Sequence, residues 1–145
     1  EGMTLACLVE PLGVEHGNEE IADAFLAALS SGAEICGVMA RSHVPGTPFE
    51  GREEVPEERL ARVAAVVRLC GGTRTEHVCV HPPSALAVSW GANVLVVETG
   101  AVPRADAEVP GEWRGFSVED ARAMFTQYGY AFSRSARPGA GEREA

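Results

Sequence analysis

The chain has 145 residues and a formal net charge of −9, and 46% of its residues are hydrophobic against 23% charged. This balance is typical of a folded globular segment and excludes the disordered class, and the acidic charge excludes a nucleic-acid-binding surface, which needs clustered Lys and Arg. No apolar run reaches the ~18 residues of a membrane span and no leader pattern opens the sequence, so we expect a cytoplasmic protein that acts on a small molecule.

Two units at the start of the chain each run from an apolar strand through a polar loop into a helix. The first strand is predicted at residues 3–9 and the second at residues 33–39. Asn18 is expected to cap the first helix, and Pro56 to open the second, which ends at Gly71. Apolar residues with helical spacing predict the sides that pack on the sheet: Ile21, Ala24, Phe25, Ala28 and Leu29, then Leu60, Val63, Ala64 and Val67.

Two further units repeat this order. A strand at residues 76–81 precedes a short helix at 84–90, and a strand at 93–98 follows. The last strand contains a β-branched run that is typical of a parallel strand buried on both faces. Ser117, with Asp120 three positions on, is a capping-box pattern that predicts the start of the last helix. The apolar side of that helix is predicted from four residues: Ala121, Met124, Phe125 and Tyr128.

Four strand-loop-helix units in succession predict an α/β fold, the C-terminal half of a TIM-type (β/α)₈ barrel with four parallel strands in sequential order. A complete barrel needs about 250 residues, so we expect the chain to be part of a longer protein. The half-barrel is assigned to residues 3–130, and residues 131–145 are expected to form a disordered tail. Barrel enzymes place their active sites at the carboxyl ends of the strands. The loops at those ends are residues 10–16, 41–48, 79–83 and 98–104.

Five segments, taken in order, resemble the C-terminal half of biotin-synthase-like radical SAM enzymes: residues 7–16, 44–48, 79–81, 91–93 and 102–104. Within this group of enzymes, the five segments are most similar to the branch related to the maturase of the iron-guanylylpyridinol hydrogenase cofactor. This resemblance implies reductive cleavage of S-adenosylmethionine (SAM) at a [4Fe-4S] cluster to give a 5′-deoxyadenosyl radical, with ferredoxin or flavodoxin as the electron donor. The three-cysteine cluster motif of the family is absent, and is expected in a missing N-terminal half-barrel, so no metal site is predicted in this segment.

The resemblance implies SAM contacts from two loops: Glu10, Pro11 and Gly13 in the first, and Val44, Pro45 and Gly46 in the second. Gly13 has no Cβ, which would allow the backbone to approach adenosine closely. The alternative is an ordinary strand-to-helix turn in which Glu15 and His16 are solvated.

Four residues are candidates for the substrate cavity: Cys79, His81, Glu98 and Arg104. Cys79 and His81 share one face of a strand by alternation, and Glu98 ends the next strand. A His there could bind substrate or transfer a proton, because its unperturbed pKa is about 6.5; alternatively it bonds a backbone carbonyl. Cys7 falls where biotin synthase has a ligand of its auxiliary [2Fe-2S] cluster, but a strand thiol facing the barrel core needs no metal.

Two other functions stay open. One is a metal-dependent hydrolase or aldolase of the same barrel type, with His16, His43, His81 and Glu98 as N and O ligands. The other is a half-barrel without catalysis that associates with a second copy through its open sheet edges.

Overall fold

A computed structural model of the chain describes residues 3–42, 46–97 and 115–132. Strands and helices alternate in the predicted order, with ends that differ from the predictions by a few residues. His43, Val44, Pro45, Glu98 and Arg104 lie outside the described residues, as does most of the tail. The elements are β1 (Ala6–Leu12), α1 (Asn18–Ser30), β2 (Ile35–Ala40), α2 (Glu57–Gly71), β3 (His77–His81), α3 (Ala85–Ser89), β4 (Val94–Leu95) and α4 (Val118–Gln127).

The four strands form one parallel sheet in the order β1-β2-β3-β4. This confirms the predicted parallel pairing and sequential order. Because right-handed crossovers between successive neighbours all turn the same way, they place their helices on one face of the sheet. Accordingly, α1 packs on β1 and β2, and α2 packs on β2 and β3. A parallel sheet with sequential strand order and with its helices on one face is compatible with part of an α/β barrel.

The helices begin at caps that the sequence largely indicated. Ser117 caps α4, where the Asp120 backbone N donates to Ser117 Oγ at 3.1 Å and the Ser117 backbone N donates to Asp120 Oδ2 at 3.2 Å. The cap of α1 is Gly17 rather than Asn18, and the cap of α2 is Pro56 itself. None of the helices in the described ranges combines the length and the apolar character that a bilayer crossing requires.

The hydrophobic core lies between one face of the sheet and the helices. The four residues predicted to form the apolar side of α2 are all buried, and in α1 Phe25 and Ala28 are buried whereas Ala24 is exposed. The sheet contributes alternate residues of each strand, because side chains point to opposite faces in turn. The strand and helix side chains at the centre are Val9, Cys36, Val38, Val78, Val80, Leu60, Ala64 and Val67.

The prediction that the fourth strand is long and buried on both faces is wrong. β4 has two residues, and Val96 and Val97, which continue the run, are each 39% exposed. In the described part of the chain β4 pairs only with β3, and β1 pairs only with β2. A strand with one neighbour has a backbone edge and side chains that no further strand covers, so the apolar run lies at an edge of the sheet that the described residues form.

Candidate functional site

The loops that follow β1 and β2, together with the first two turns of α1, line a cleft of about 420 Å³ at the carboxyl ends of these strands. This volume falls in the range of small-molecule sites, about 300–1,000 Å³. Of the residues that the resemblance assigns to SAM, Glu10 and Pro11 line the cleft, and Gly46 precedes Thr47, which also lines it. The other lining residues are Val9, Leu12, Glu15, His16, Glu20, Ile21, Ala24, Arg41, Ser42 and Phe49.

An ion pair between Glu15 and Arg41 crosses this cleft from one loop to the other. Arg41 Nη1 bonds Glu15 Oε1, and Arg41 Nη2 bonds Glu15 Oε2 at 3.0 Å. The Arg41 guanidinium also lies over the Phe49 ring, 4.6 Å from its centroid, and its side chain is 11% exposed. The hydrogen bonds from Arg41 lower the pKa of Glu15 from its ordinary 4.5 to about 2. Glu15 is therefore paired, not simply solvated.

Gly13 lies directly under this ion pair. A Cβ on Gly13 would stand 2.3 Å from Glu15 Oε2 and 2.5 Å from Arg41 Nη1, distances that real Cβ atoms do not adopt. The absent side chain thus leaves room for the protein's own ion pair, and contact of Gly13 with adenosine stays a prediction. The Gly13 backbone N also donates to His16 Nδ1 at 2.8 Å, so neutral His16 carries its proton on Nε2.

Arg59 of α2 also binds the first loop. Its Nη1 donates to the carbonyl of Val14 at 3.1 Å, and its Nη2 donates to the carbonyl of His16. These carbonyls belong to a turn that makes few backbone hydrogen bonds of its own, so the guanidinium satisfies acceptors that would otherwise need water. The first loop is therefore fixed by Arg41 on one side and by Arg59 on the other.

The second group of candidate residues lies on the sheet face opposite the helices, hereafter the open face. By register, Leu8, Gly37, Cys79 and Val94 form one row across this face, and His81 follows Cys79 at the next position. Cys79 and His81 are 3% and 6% exposed, and they share a face as predicted. Burial raises the pKa of the Cys79 thiol to about 11, so this group is a neutral thiol at physiological pH.

Gly37 sets the shape of this face. A Cβ at Gly37 would lie 2.0 Å from the backbone oxygen of Cys79 on the neighbouring strand. The two backbones therefore approach each other on this side more closely than any side chain would allow, and a glycine within a strand is a known mark of such an approach. The sequence contained this signal in the middle of an apolar run, and the predicted strand order placed β3 beside β2, but the sequence did not indicate that Cys79 lies opposite Gly37.

Cys7 lies on the helix-facing side of the sheet, next to Cys36 by register. Its Sγ stands 3.7 Å from Ser31 Oγ, where α1 ends. This position differs from the prediction that the thiol faces the barrel core, because the alternation along β1 places Leu8, not Cys7, on the open face. All four cysteines are free thiols, and Cys70 is exposed on α2.

No three His, Cys, Asp or Glu residues in the described ranges are grouped so that they could hold a metal ion. His16 lies in the cleft near β1, whereas His81 ends β3 on the open face. The other two ligands considered for a metal-dependent hydrolase, His43 and Glu98, lie outside the described residues.

Comparison of the chain with protein-family models, with curated proteins and with solved structures gave no match. The function is therefore inferred from the site and from the motifs of the sequence.

Proposed function

We propose that this chain forms one side of the active site of a biotin-synthase-like radical SAM enzyme, where it contributes part of the SAM and substrate cavity. The observation that carries the proposal is the cleft at the carboxyl ends of β1 and β2, in a parallel sheet whose strands follow each other in sequential order. Carboxyl-end loops are where barrel enzymes bind their ligands.

The cleft offers an apolar surface with a few polar groups. Val9, Pro11 and Phe49 provide surface for the flat, apolar part of a ligand such as adenosine. Glu10 is exposed at the same place and can accept hydrogen bonds from hydroxyl or ammonium groups. Glu15 and Arg41 neutralise each other, so in this proposal they fix the cleft and Glu10 binds the ligand.

The open face of the sheet would hold the substrate. A buried neutral thiol at Cys79 is a weak hydrogen-bond donor, and the His81 imidazole can donate or accept a proton. Side chains that are held in place by burial, such as those of Cys79 and His81, are well suited to orienting a substrate, because a small misplacement of the reacting groups greatly lowers the reaction rate. Two further candidates are Glu98, at the end of the last predicted strand, and Arg104, in the last segment of the resemblance.

Bound at a [4Fe-4S] cluster, SAM would supply the radical chemistry. The thiols of this chain do not fit such a cluster, because Cys7 and Cys79 lie on opposite faces of the sheet and Cys70 lies on the outside of α2. The cluster is therefore assigned to an N-terminal half-barrel, which would pair with the edges of β1 and β4. Ferredoxin or flavodoxin would be the electron donor.

Anaerobic SAM cleavage by the protein that contains both halves tests the proposal. With dithionite as reductant we expect formation of 5′-deoxyadenosine, and Glu10→Gln should weaken SAM binding several-fold in equilibrium dialysis. Glu119→Gln, an exposed carboxylate on α4 outside the cleft, is the matched control and should bind SAM like the wild type. Absence of SAM cleavage, together with the absence of a three-cysteine motif in the adjoining sequence, would exclude the radical SAM assignment.

The division between SAM and substrate residues is tested separately. In the complete enzyme, His81→Ala and Glu98→Gln should leave uncoupled cleavage of SAM within a few fold of wild type while suppressing product. Equal loss of both activities would assign these residues to SAM or cluster support. Unchanged turnover would mean that His81 has only a structural role at the end of β3.

A further inference from the structure

The imidazole of His16 lines the carboxyl-end cleft, and its two nitrogens have different surroundings. Nδ1 accepts the Gly13 backbone N–H at 2.8 Å, a bond that only an unprotonated nitrogen can accept. The neutral ring therefore carries its proton on Nε2. The Nε2 atom reaches solvent and bonds no group within the described residues, so its N–H is available to a ligand in the cleft.

The loop that carries this ring also fixes its position. The His16 backbone N donates to the Gly13 carbonyl at 3.3 Å, and the His16 carbonyl accepts from Arg59 of α2. Together with the Nδ1 bond, these contacts hold both the backbone and the side chain of His16. A donor that is already held in place loses little conformational entropy when a ligand binds, so its contact favours ligands that have an acceptor at the matching position.

The charged groups of the cleft are mainly acidic. Among the described lining residues, the three carboxylates of Glu10, Glu15 and Glu20 outnumber the single guanidinium of Arg41. Arg41 is bound to Glu15, so its charge is already neutralised. An anionic group placed here would meet carboxylates and no available cation, and like charges at one site oppose binding. The acceptor that suits His16 is therefore a neutral atom of the ligand.

We propose that His16 Nε2 donates a hydrogen bond to a neutral acceptor of a nucleoside, a ring nitrogen or a hydroxyl oxygen, and that the cleft rejects the phosphorylated nucleoside. This inference rests on the proposed function, in which adenosine is the nucleoside part of SAM. His16 supplies a donor, and the exposed Glu10 supplies an acceptor for an amino or hydroxyl group. A sulfonium or a hydrogen at the 5′ carbon suits an acidic cleft, whereas a phosphate does not.

Two substitutions separate the donor of His16 from its bond to Gly13. In His16→Asn the amide oxygen can take the place of Nδ1 and accept the Gly13 N–H, but no donor remains at the Nε2 position. In His16→Gln the amide nitrogen reaches the Nε2 position, and the bond to Gly13 is lost. His77→Asn is the matched control, because His77 is exposed at the start of β3 and does not line the cleft.

NMR titration of the isotope-labelled chain with adenosine, 5′-deoxyadenosine and AMP measures the dissociation constants. Wild type and His77→Asn should bind adenosine and 5′-deoxyadenosine alike, and AMP about tenfold more weakly or worse, because its phosphate meets carboxylates. His16→Asn should weaken adenosine binding about threefold to tenfold, the effect of one neutral hydrogen bond, whereas His16→Gln should stay within about twofold of wild type. The nitrogen chemical shifts of the His16 ring check that its proton is on Nε2, and circular dichroism checks that each variant is folded.

Analogues of adenosine identify the acceptor atom. The ring acceptors are removed one at a time in 7-deazaadenosine and 3-deazaadenosine, and one hydroxyl is removed in 2′-deoxyadenosine. The analogue that lacks the partner of His16 should bind the wild type more weakly than adenosine does, and this difference should disappear in His16→Asn.

Four results would overturn the inference: unchanged adenosine binding by His16→Asn, equal losses in His16→Asn and His16→Gln, a loss in His16→Gln alone, or AMP binding as tight as that of adenosine. A loss in His16→Gln alone would mean that the imidazole only positions the Gly13 loop. Wild type that binds no adenosine would also overturn it, but SAM cleavage by the protein that contains both halves would still support the proposed function. Adenosine binding that depends on the His16 donor, without any SAM cleavage, would support this inference and exclude only the radical SAM assignment.

Discussion

Arg41 holds Glu15 in a two-pronged ion pair that joins the end of β2 to the loop after β1. The guanidinium has one face on Phe49, so the same side chain also contacts the residue that follows the second loop. Paired oxygen and nitrogen contacts of this kind constrain orientation as well as distance. The cleft between the two loops is therefore shaped by contacts within the protein, which is the condition for a preorganised ligand site.

Loss of the Glu15 charge should change how stability depends on pH. The pKa of Glu15 is lowered from 4.5 to about 2 in the folded chain, so its pairing with Arg41 stabilises the fold above pH 4.5 and this contribution is lost as the pH falls towards 2. The difference in free energy of unfolding between wild type and Glu15→Gln should accordingly shrink between pH 4.5 and 2. Urea unfolding at a series of pH values measures it.

Arg41→Gln provides the control for this ion pair. A double-mutant cycle with Glu15→Gln should give a favourable coupling at pH 6 that weakens at pH 3 and in high salt, because exposed charges are screened. Coupling that does not change with pH would mean that Glu15 and Arg41 interact through packing and not through charge.

Gly37→Ala should destabilise the fold, because the added Cβ would lie 2.0 Å from the Cys79 backbone oxygen. Forcing a methyl group into a filled space costs about 1–3 kcal/mol. Gly17→Ala is the control: its Cβ would meet only Glu20 Oε2, at 3.8 Å, and the change of capping residue should cost less than about 1 kcal/mol. Equal urea midpoints for Gly37→Ala and wild type would show that β2 and β3 are farther apart at this point.

Local patterns predicted the helices better than they predicted the sheet edge or the site. The spacing from Leu60 to Val67 located the buried side of α2, and the Ser117 pattern located the start of α4, because both features depend on residues within one or two turns. The run at Val96 predicted a central strand, yet its burial depends on whether another strand lies beside it. Apolar composition alone does not contain that information.

Sequence patterns did not predict the contacts that shape the cleft. Glu15 and Arg41 are 26 positions apart, and nothing in either neighbourhood distinguishes them from other charged loop residues. The loops themselves were predicted as ligand-binding segments because they follow strands. Which side chains pair within them depends on the register of β1 and β2, which the tertiary fold determines.

Alkylation should separate the exposed thiol from the buried ones. Cys70 is exposed, whereas Cys36 and Cys79 are buried, and the raised pKa of Cys79, about 11, leaves about one thiol in a thousand ionised at pH 8. With iodoacetamide at pH 8, peptide mass mapping should show Cys70 modified first and Cys79 protected. Both should react at similar rates in guanidinium chloride. Fast modification of Cys79 in the native protein would mean that the open face of β3 is accessible.

Reconstitution of this chain alone with iron and sulfide under anaerobic conditions should give no stoichiometric [4Fe-4S] absorption or EPR signal. Cluster iron is held by several thiolates at one place, but Cys7 and Cys36 lie together on the helix-facing side of the sheet, Cys79 on the opposite face and Cys70 outside on α2. Cys7→Ser and Cys79→Ser should therefore bind as little iron as the wild type after desalting. A stoichiometric cluster that is lost in Cys79→Ser would establish a ligand set on the open face, and the need for a second half-barrel to supply the cluster would then disappear.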